Sequence, residues 1–473
     1  MKGTGVSGRL CVKPVTHGRD AINIFNRPEL LTAGNPAKRI VLFALPLFAG
    51  EFFQIFYTMA DAYIVGRWLG IDGLAAVGAV YNLISFVFGF IIGLTGGFAV
   101  ITTQRVGQGD EQGIRRSVAA GFFLCFVVSI IMTLLLLPLA PFLLSLIRTP
   151  AEIMKDALGY VTVMFSGICV FMFYNMQASV IQAGGNSFTP TLFLIVGNII
   201  NIVLAILFVA VFSWGIRGAA AATVISELIA AILTFSFLLR RFRPFLPRRQ
   251  DWRVGWHELR IHLSLGIIMG IQRSIVEAGN ILVQSAINGL GAVTIAAVSA
   301  AQRVRGLNMM PLFSMSRAMI TYTAQNYGAG KMERIHKGIF QTCLISIGLG
   351  VFMAALNQFS GGPIVSLFLK GSPQAIALAK EYVLITGYTV SILGIMLVFR
   401  SALQGLGRKS APVLCSVMET AMSVLAAFVL IPRFGFTGVC LVNPLSWLAS
   451  GIPLYIAFIF LIRRRIYRTS NPL

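Results

Sequence analysis

The chain has 473 residues, 57% of them hydrophobic and only 11% charged, and its mean hydropathy is +0.83. A water-soluble enzyme or regulator is excluded by that balance, since a soluble surface needs about a quarter of its residues charged. The formal net charge of +22 would suit nucleic acid, but the basic residues gather in alternate loops, a pattern set by membrane topology.

Residues 1–39 read as a basic N-terminal tail without a cleavable signal, disordered to about Asp20 and then an interfacial helix ending before Ala33-Gly34-Asn35-Pro36. Apolar runs long enough to cross a bilayer, about 20 residues each, follow at 40–64, 74–102, 117–145, 157–181, 190–212, 218–239, 263–288, 292–320, 337–358, 379–403, 412–432 and 438–462. The runs are continuous rather than alternating, so they are helices and not barrel strands. Lys and Arg crowd one set of loops, leaving Arg67, Arg148, Lys155, Arg217, Lys370, Lys380 and Arg433 on the other side. This places both termini in the cytoplasm.

The segment 240–262 holds seven arginines and reads as a basic linker on the inner leaflet. It separates an N-lobe, 40–239, from a C-lobe, 263–462, with a short tail at 463–473. The two lobes repeat one another. Gly70-x4-Ala75-Ala76-Val77 returns as Gly291-x4-Ala296-Ala297-Val298, and Gln104-x2-Gly107-x-Gly109 as Gln325-x2-Gly328-x-Gly330, both displaced by 221. Gln182, Gly185 and Pro190 return as Gln404, Gly407 and Pro412, and Gly215-x2-Gly218 as Gly435-x2-Gly438. Six spans per repeat give both lobes the same orientation, as in carriers that rock two lobes about a central site. The fold expected is an all-α polytopic membrane protein, twelve transmembrane helices in two six-helix lobes related by a parallel internal repeat.

Cys11, Cys125, Cys169, Cys343, Cys415 and Cys440 lie in the tail or inside spans, so no disulfide and no metal cluster is expected. His17, His257, His262 and His336 read as solvated loop histidines. The turns VGQGDEQG, QAGGNS and QGLGRKS follow helices, and GxxxxGK[ST] does not occur, which argues against nucleotide-driven transport. Neither a catalytic constellation nor a cofactor motif emerges.

Chemistry is carried by acids at membrane depth. Of the sixteen acidic residues, Glu51, Asp61, Glu227, Glu277 and Glu419 lie well inside spans, and an ionisable group there marks a functional site by default. Asp61 stands about 22 Å along a helix from Pro46, with Gln54 two turns earlier on the same face. Asn198, Asn201 and Ala205 share one face of the fifth span, and Thr223 precedes Glu227 by one turn on the sixth. Amides there can solvate an ion or hold a carboxyl, although Asn198 equally suits an interhelical hydrogen bond and Thr223 a bond to its own helix. Arg273 and Glu277 are placed i, i+4 for a buried pair, structural or functional. Arg303, Arg305 and Arg317 either snorkel from the ends of the eighth span or face the cavity and favour anions.

The segments LLTAGNP with ALP, YTMADAYIVGRWLG, TTQRVGQGD, GNIINIVLAILF, AAATVISE, AQNYGAGKMERI, ALQGLGRKSAP and FGFTGVCLVNPLSW resemble the multidrug and toxic compound extrusion (MATE) family, in particular its branch from Gram-positive bacteria. That resemblance implies a two-lobed antiporter of the cytoplasmic membrane, expelling amphipathic, mostly cationic compounds against protons or sodium ions. It further implies that Asp61 is the coupling acid and that Asn201, with Asn198 beside it, belongs to the N-lobe cation site, where sodium could sit between Asp61 and Asn201. The chain departs from the family at Ala205, usually Asp, and at Glu227, more often Gln. Glu277, Arg273, Gln54 and Glu51 are the candidate substrate and C-lobe residues. Membrane lipids, amphipathic cations and H+ or Na+ are the expected partners, nucleic acid is not, and the expected unit is a monomer. A lipid-linked saccharide flippase on a related scaffold is the alternative, favoured if the C-half arginines line the cavity.

Overall fold

The computed structural model describes residues 30–369 and 372–470. Most of the expected N-terminal tail, including its interfacial helix, Cys11 and His17, together with Lys370 and residues 471–473, lies outside the described residues. Eleven α-helices follow in order: α1 (Pro36–Gln108), α2 (Glu111–Leu146), α3 (Ala151–Ser166), α4 (Ile168–Ala183), α5 (Phe188–Ala205), α6 (Ile216–Arg241), α7 (Trp256–Asn288), α8 (Ala292–Gly328), α9 (Met332–Phe368), α10 (Pro373–Gly405) and α11 (Ser410–Ser470). A π-helical stretch, Ile206–Val211, continues α5, and two 3-10 turns, Arg243–Phe245 and Arg249–Trp252, lie in the linker.

These helices make the twelve expected spans. Eight are long and apolar enough to cross a bilayer, and α3 with α4, bent by 45°, supplies a ninth. Gly70 breaks α1 and Gly435 breaks α11 into two spans each, and α8, less apolar because it carries three arginines, completes the set. Several helices outrun their apolar stretches, α2 beginning at Glu111, α7 at Trp256 and α10 at Pro373, because hydropathy marks only the lipid-covered part. Caps carry the ends onward, as where the side chain of Asn35 accepts from the Lys38 N–H.

The internal repeat is visible in the backbone. Gly70, Gly109, Gly185 and Gly215 have φ of 73°, 74°, 93° and 63°, and their counterparts Gly291, Gly330, Gly407 and Gly435 have 87°, 71°, 71° and 56°. Four turns in each lobe therefore take a left-handed conformation that a side chain would strain, so the sequence matches are turns repeated in space.

The lobes meet along α1, which packs against α7 and α8. Gly93 and Gly97 of α1 face Gly266 and Gly270 of α7. A Cβ on Gly97 would come within 2.6 Å of the Gly266 Cα, and one on Gly93 within 2.5 Å of the Met269 carbonyl oxygen. Two GxxxG faces thus bring the backbones into contact, where membrane helices associate by close packing. At the end of the bundle that carries the linker, a Cβ on Gly107 would strike the Gln325 carbonyl, and one on Gly328 the Gln104 carbonyl. Gln104 Nε2 donates to the Gly405 carbonyl at 2.8 Å and Gln325 Nε2 to the Ala183 carbonyl at 2.8 Å. The repeated QxxG motifs clasp one another across the pseudo-twofold axis and close that end.

The linker docks on protein through its acidic residues and its last histidine, while its seven arginines are exposed. Asp251, 1% exposed, pairs with Arg115 at 3.3 Å, and Glu258 with Arg105 at 2.6 Å. His262, expected in solvent, is fully buried, with Nε2 bonded to the Ser117 hydroxyl at 2.7 Å and Nδ1 to the Glu258 carbonyl at 2.9 Å. Its position in the second turn of α7 points it into the N-lobe. His257 is exposed, whereas His336 is partly buried and lies against the Phe458 ring.

Candidate functional site

The polar residues of the N-lobe converge from three helices. Tyr57 and Asp61 are one turn apart on α1, Asn201 and Ala205 lie on α5, and Thr223 and Glu227 on α6. Asn201 is 1% exposed and Asp61 8%. Asn201 Nδ2 donates to Thr223 Oγ1 at 3.1 Å, the Tyr57 hydroxyl lies 3.2 Å from the same oxygen, and Thr223 Oγ1 donates to the Ala219 carbonyl at 3.2 Å. Thr223 therefore does both things the sequence allowed. It spends its proton on its own helix and uses its lone pairs to hold Asn201 and Tyr57.

This bonding leaves two oxygens over. Asp61 Oδ1 and Asn201 Oδ1 are buried with no hydrogen-bond partner, and among the described residues neither Asp61 nor Glu227 has an ion-pair partner. Tyr57 is within electrostatic reach of both acids, Tyr160 of Asp61, and Tyr174 of Glu227. A buried carboxylate oxygen without a donor is costly unless a proton or cation reaches it. Ala205, where a second acid was lacking, is fully buried at the start of the π-helical stretch and contributes no oxygen. Asn198 takes a separate path, donating to Gln54 Oε1 across α1 and α5 at 3.3 Å in an exposed position.

The remaining candidates gather in and against the C-lobe, where Glu51, Glu277 and Glu419 each stand beside an arginine. Glu51 crosses the lobe boundary to α8, accepting from the Ser314 hydroxyl at 3.1 Å and lying 3.3 Å from Arg317. Arg317 is thus not a snorkelling end residue. Arg273 and Glu277 stand 3.7 Å apart with side chains 53% and 30% exposed, so the expected buried pair is long and open. Arg273 also lies within electrostatic reach of Arg317, Arg400 and Glu51. Arg400 and Glu419 form a close pair, each 12% exposed. Sequence reasoning left Glu419 without a partner because the two sit on different spans, where helical spacing carries no signal; two unexplained opposite charges in one lobe were the available hint. Gln272 was missed altogether. It donates to Ser416 and accepts from Gln404, both at 2.9 Å.

Twelve spans, a two-lobed repeat and unpaired acids at membrane depth define a polytopic membrane carrier. The MatE family matches residues 46–207 and again 269–429, one match per lobe, and the chain belongs to this family of multidrug and toxic compound efflux transporters. It is 28% identical over 378 residues to the probable multidrug resistance protein YpnP of Bacillus subtilis strain 168, covering 80% of this chain and 84% of that protein. To the probable multidrug resistance protein YoeA of the same strain it is 25% identical over 434 residues, covering 90% and 94%. A crystal structure of MATE in the bent conformation superposes with a TM-score of 0.86 at 20% identity, over 93% of this chain and 98% of that one. The chain is accordingly a transporter and not an enzyme, and a multi-pass membrane protein of bacterial type.

Proposed function

We propose that the chain is a monomeric secondary active exporter of the bacterial cytoplasmic membrane, exchanging amphipathic, mostly cationic compounds for protons bound at Asp61. In this reading both termini and the linker are cytoplasmic, and the lobes 40–239 and 263–462 alternate in access. The observation that carries it is the pair of orphaned oxygens on Asp61 and Asn201. A proton satisfies Asp61 outright, whereas a hard cation such as sodium wants a full shell of oxygens, and Ala205 supplies none. The clasp of Gln104 and Gln325 then seals the cytoplasmic end, leaving the N-lobe acids to load from outside.

The cycle follows from charge. A proton arriving from outside neutralises Asp61, weakens its attraction for a cationic substrate, and satisfies the buried oxygen that has no donor. Such a proton biases the lobes only by the difference in its affinity between the two states, and a tenfold difference is about 1.4 kcal/mol. Efflux of a fluorescent amphipathic cation from proteoliposomes tests this. A proton gradient alone should drive it, and efflux driven only by a sodium gradient would overturn the assignment. The flippase alternative gains nothing from the comparisons.

A further inference from the structure

From the open faces of two arginines we infer that the C-lobe receives an anionic group of the substrate, held between Arg273 of α7 and Arg317 of α8. The inference rests on the reading of the chain as an exporter and extends its substrates to amphipathic zwitterions and anions bearing a carboxylate or phosphate.

Both arginine side chains are 53% exposed, while those of the carboxylates behind them are less so, 18% for Glu51 and 30% for Glu277. Each arginine makes a single ion-pair contact, at 3.3 Å for Arg317 and 3.7 Å for Arg273. A guanidinium carries five N–H donors in a planar fork suited to carboxylate and phosphate, so most of each fork faces open space. Neither can be facing lipid. Arg317 reaches Glu51 on the opposite lobe, and Arg273 packs its Cγ over Gly89 of α1 within reach of Arg317, Arg400 and Glu51. Two like charges within electrostatic reach of each other, each with donors left over, repel until an anion reaches them.

Deeper in the same lobe, a second observation has the same sign. Arg305 Nε is buried with no partner and lies within electrostatic reach of Tyr382. The Tyr382 hydroxyl accepts from Asn443 at 3.3 Å, which leaves its own proton to give. This part of the C-lobe offers donors where the N-lobe offers oxygens.

The test uses a matched pair of probes, a carboxyl-bearing rhodamine and its methyl ester, which differ only in the anionic group. Full-length protein in proteoliposomes should export both. In Arg273→Gln and Arg317→Gln the ratio of free-acid to ester export should fall by about tenfold or more, the size of losing a charge-assisted hydrogen bond. Arg273→Lys, which keeps the charge without the fork, should lie between. Because Arg317→Gln strands Glu51, the double variant with Glu51→Gln keeps the test valid if the single one folds poorly. An unchanged ratio, or export of the ester alone by wild type, overturns the inference; export of neither probe overturns the exporter reading beneath it. Free-acid export suppressed in vesicles of anionic phospholipid but not in neutral ones would assign the arginines to lipid phosphates and also overturn it.

Discussion

In the N-lobe, Asp61 and Glu227 lie among tyrosines and amides with no cation paired to them among the described residues, whereas in the C-lobe Glu277 and Glu419 each stand beside an arginine. The difference reaches equivalent positions of the repeat. Tyr160 and Tyr382 are displaced by 222 and both buried, yet the charge near Tyr160 is Asp61 and the charge near Tyr382 is Arg305. At this pair of repeated positions the scaffold is kept and the nearby charge is of opposite sign. An acid left without a counter-ion can exchange a proton, while an acid beside an arginine serves structure or orients the arginine.

Substitutions should separate the two roles. The largest effect on transport is expected at Asp61: Asp61→Asn should reduce gradient-driven efflux to that of empty vesicles while leaving thermal unfolding in detergent near wild type, because Asp61 Oδ1 has no bond to lose. The reverse is expected at Arg400. There Arg400→Ala strands Glu419 and should cost about 3–5 kcal/mol of stability, most of it recovered when Glu419→Leu is added, as read from unfolding midpoints. Tyr57→Phe removes one hydrogen bond to Thr223, and unfolding should show a loss of about 1 kcal/mol. Asn198→Ala touches only the exposed bond to Gln54 and should shift stability by less than about 0.5 kcal/mol, with efflux unaltered. If Arg400→Ala abolished transport at unchanged stability, the division between the lobes would fail.

The fold was legible because lipid leaves so few options: apolar runs of bilayer length must be helices, and recurring glycines announced the turns. Asp61 stood out for the same reason, as an acid where acids are costly. Less visible were contacts between spans distant in sequence. Gly93-x3-Gly97 and Gly266-x3-Gly270 are plain in the chain, but nothing local says that they face each other. Arg400 and Glu419 share no helix, so spacing could not join them, while Arg273 and Glu277 share one and pair only loosely, at 3.7 Å. His262 looked like a loop residue until the linker's Asp251 and Glu258 were seen to dock on Arg115 and Arg105.

The most direct test of the central claim is proton release from purified protein in weak buffer when an amphipathic cation is added. Wild type should release protons as the cation binds and Asp61→Asn should release none, with Glu277→Gln still releasing them. Equal release from wild type and Asp61→Asn would contradict the account and move the exchanging acid elsewhere.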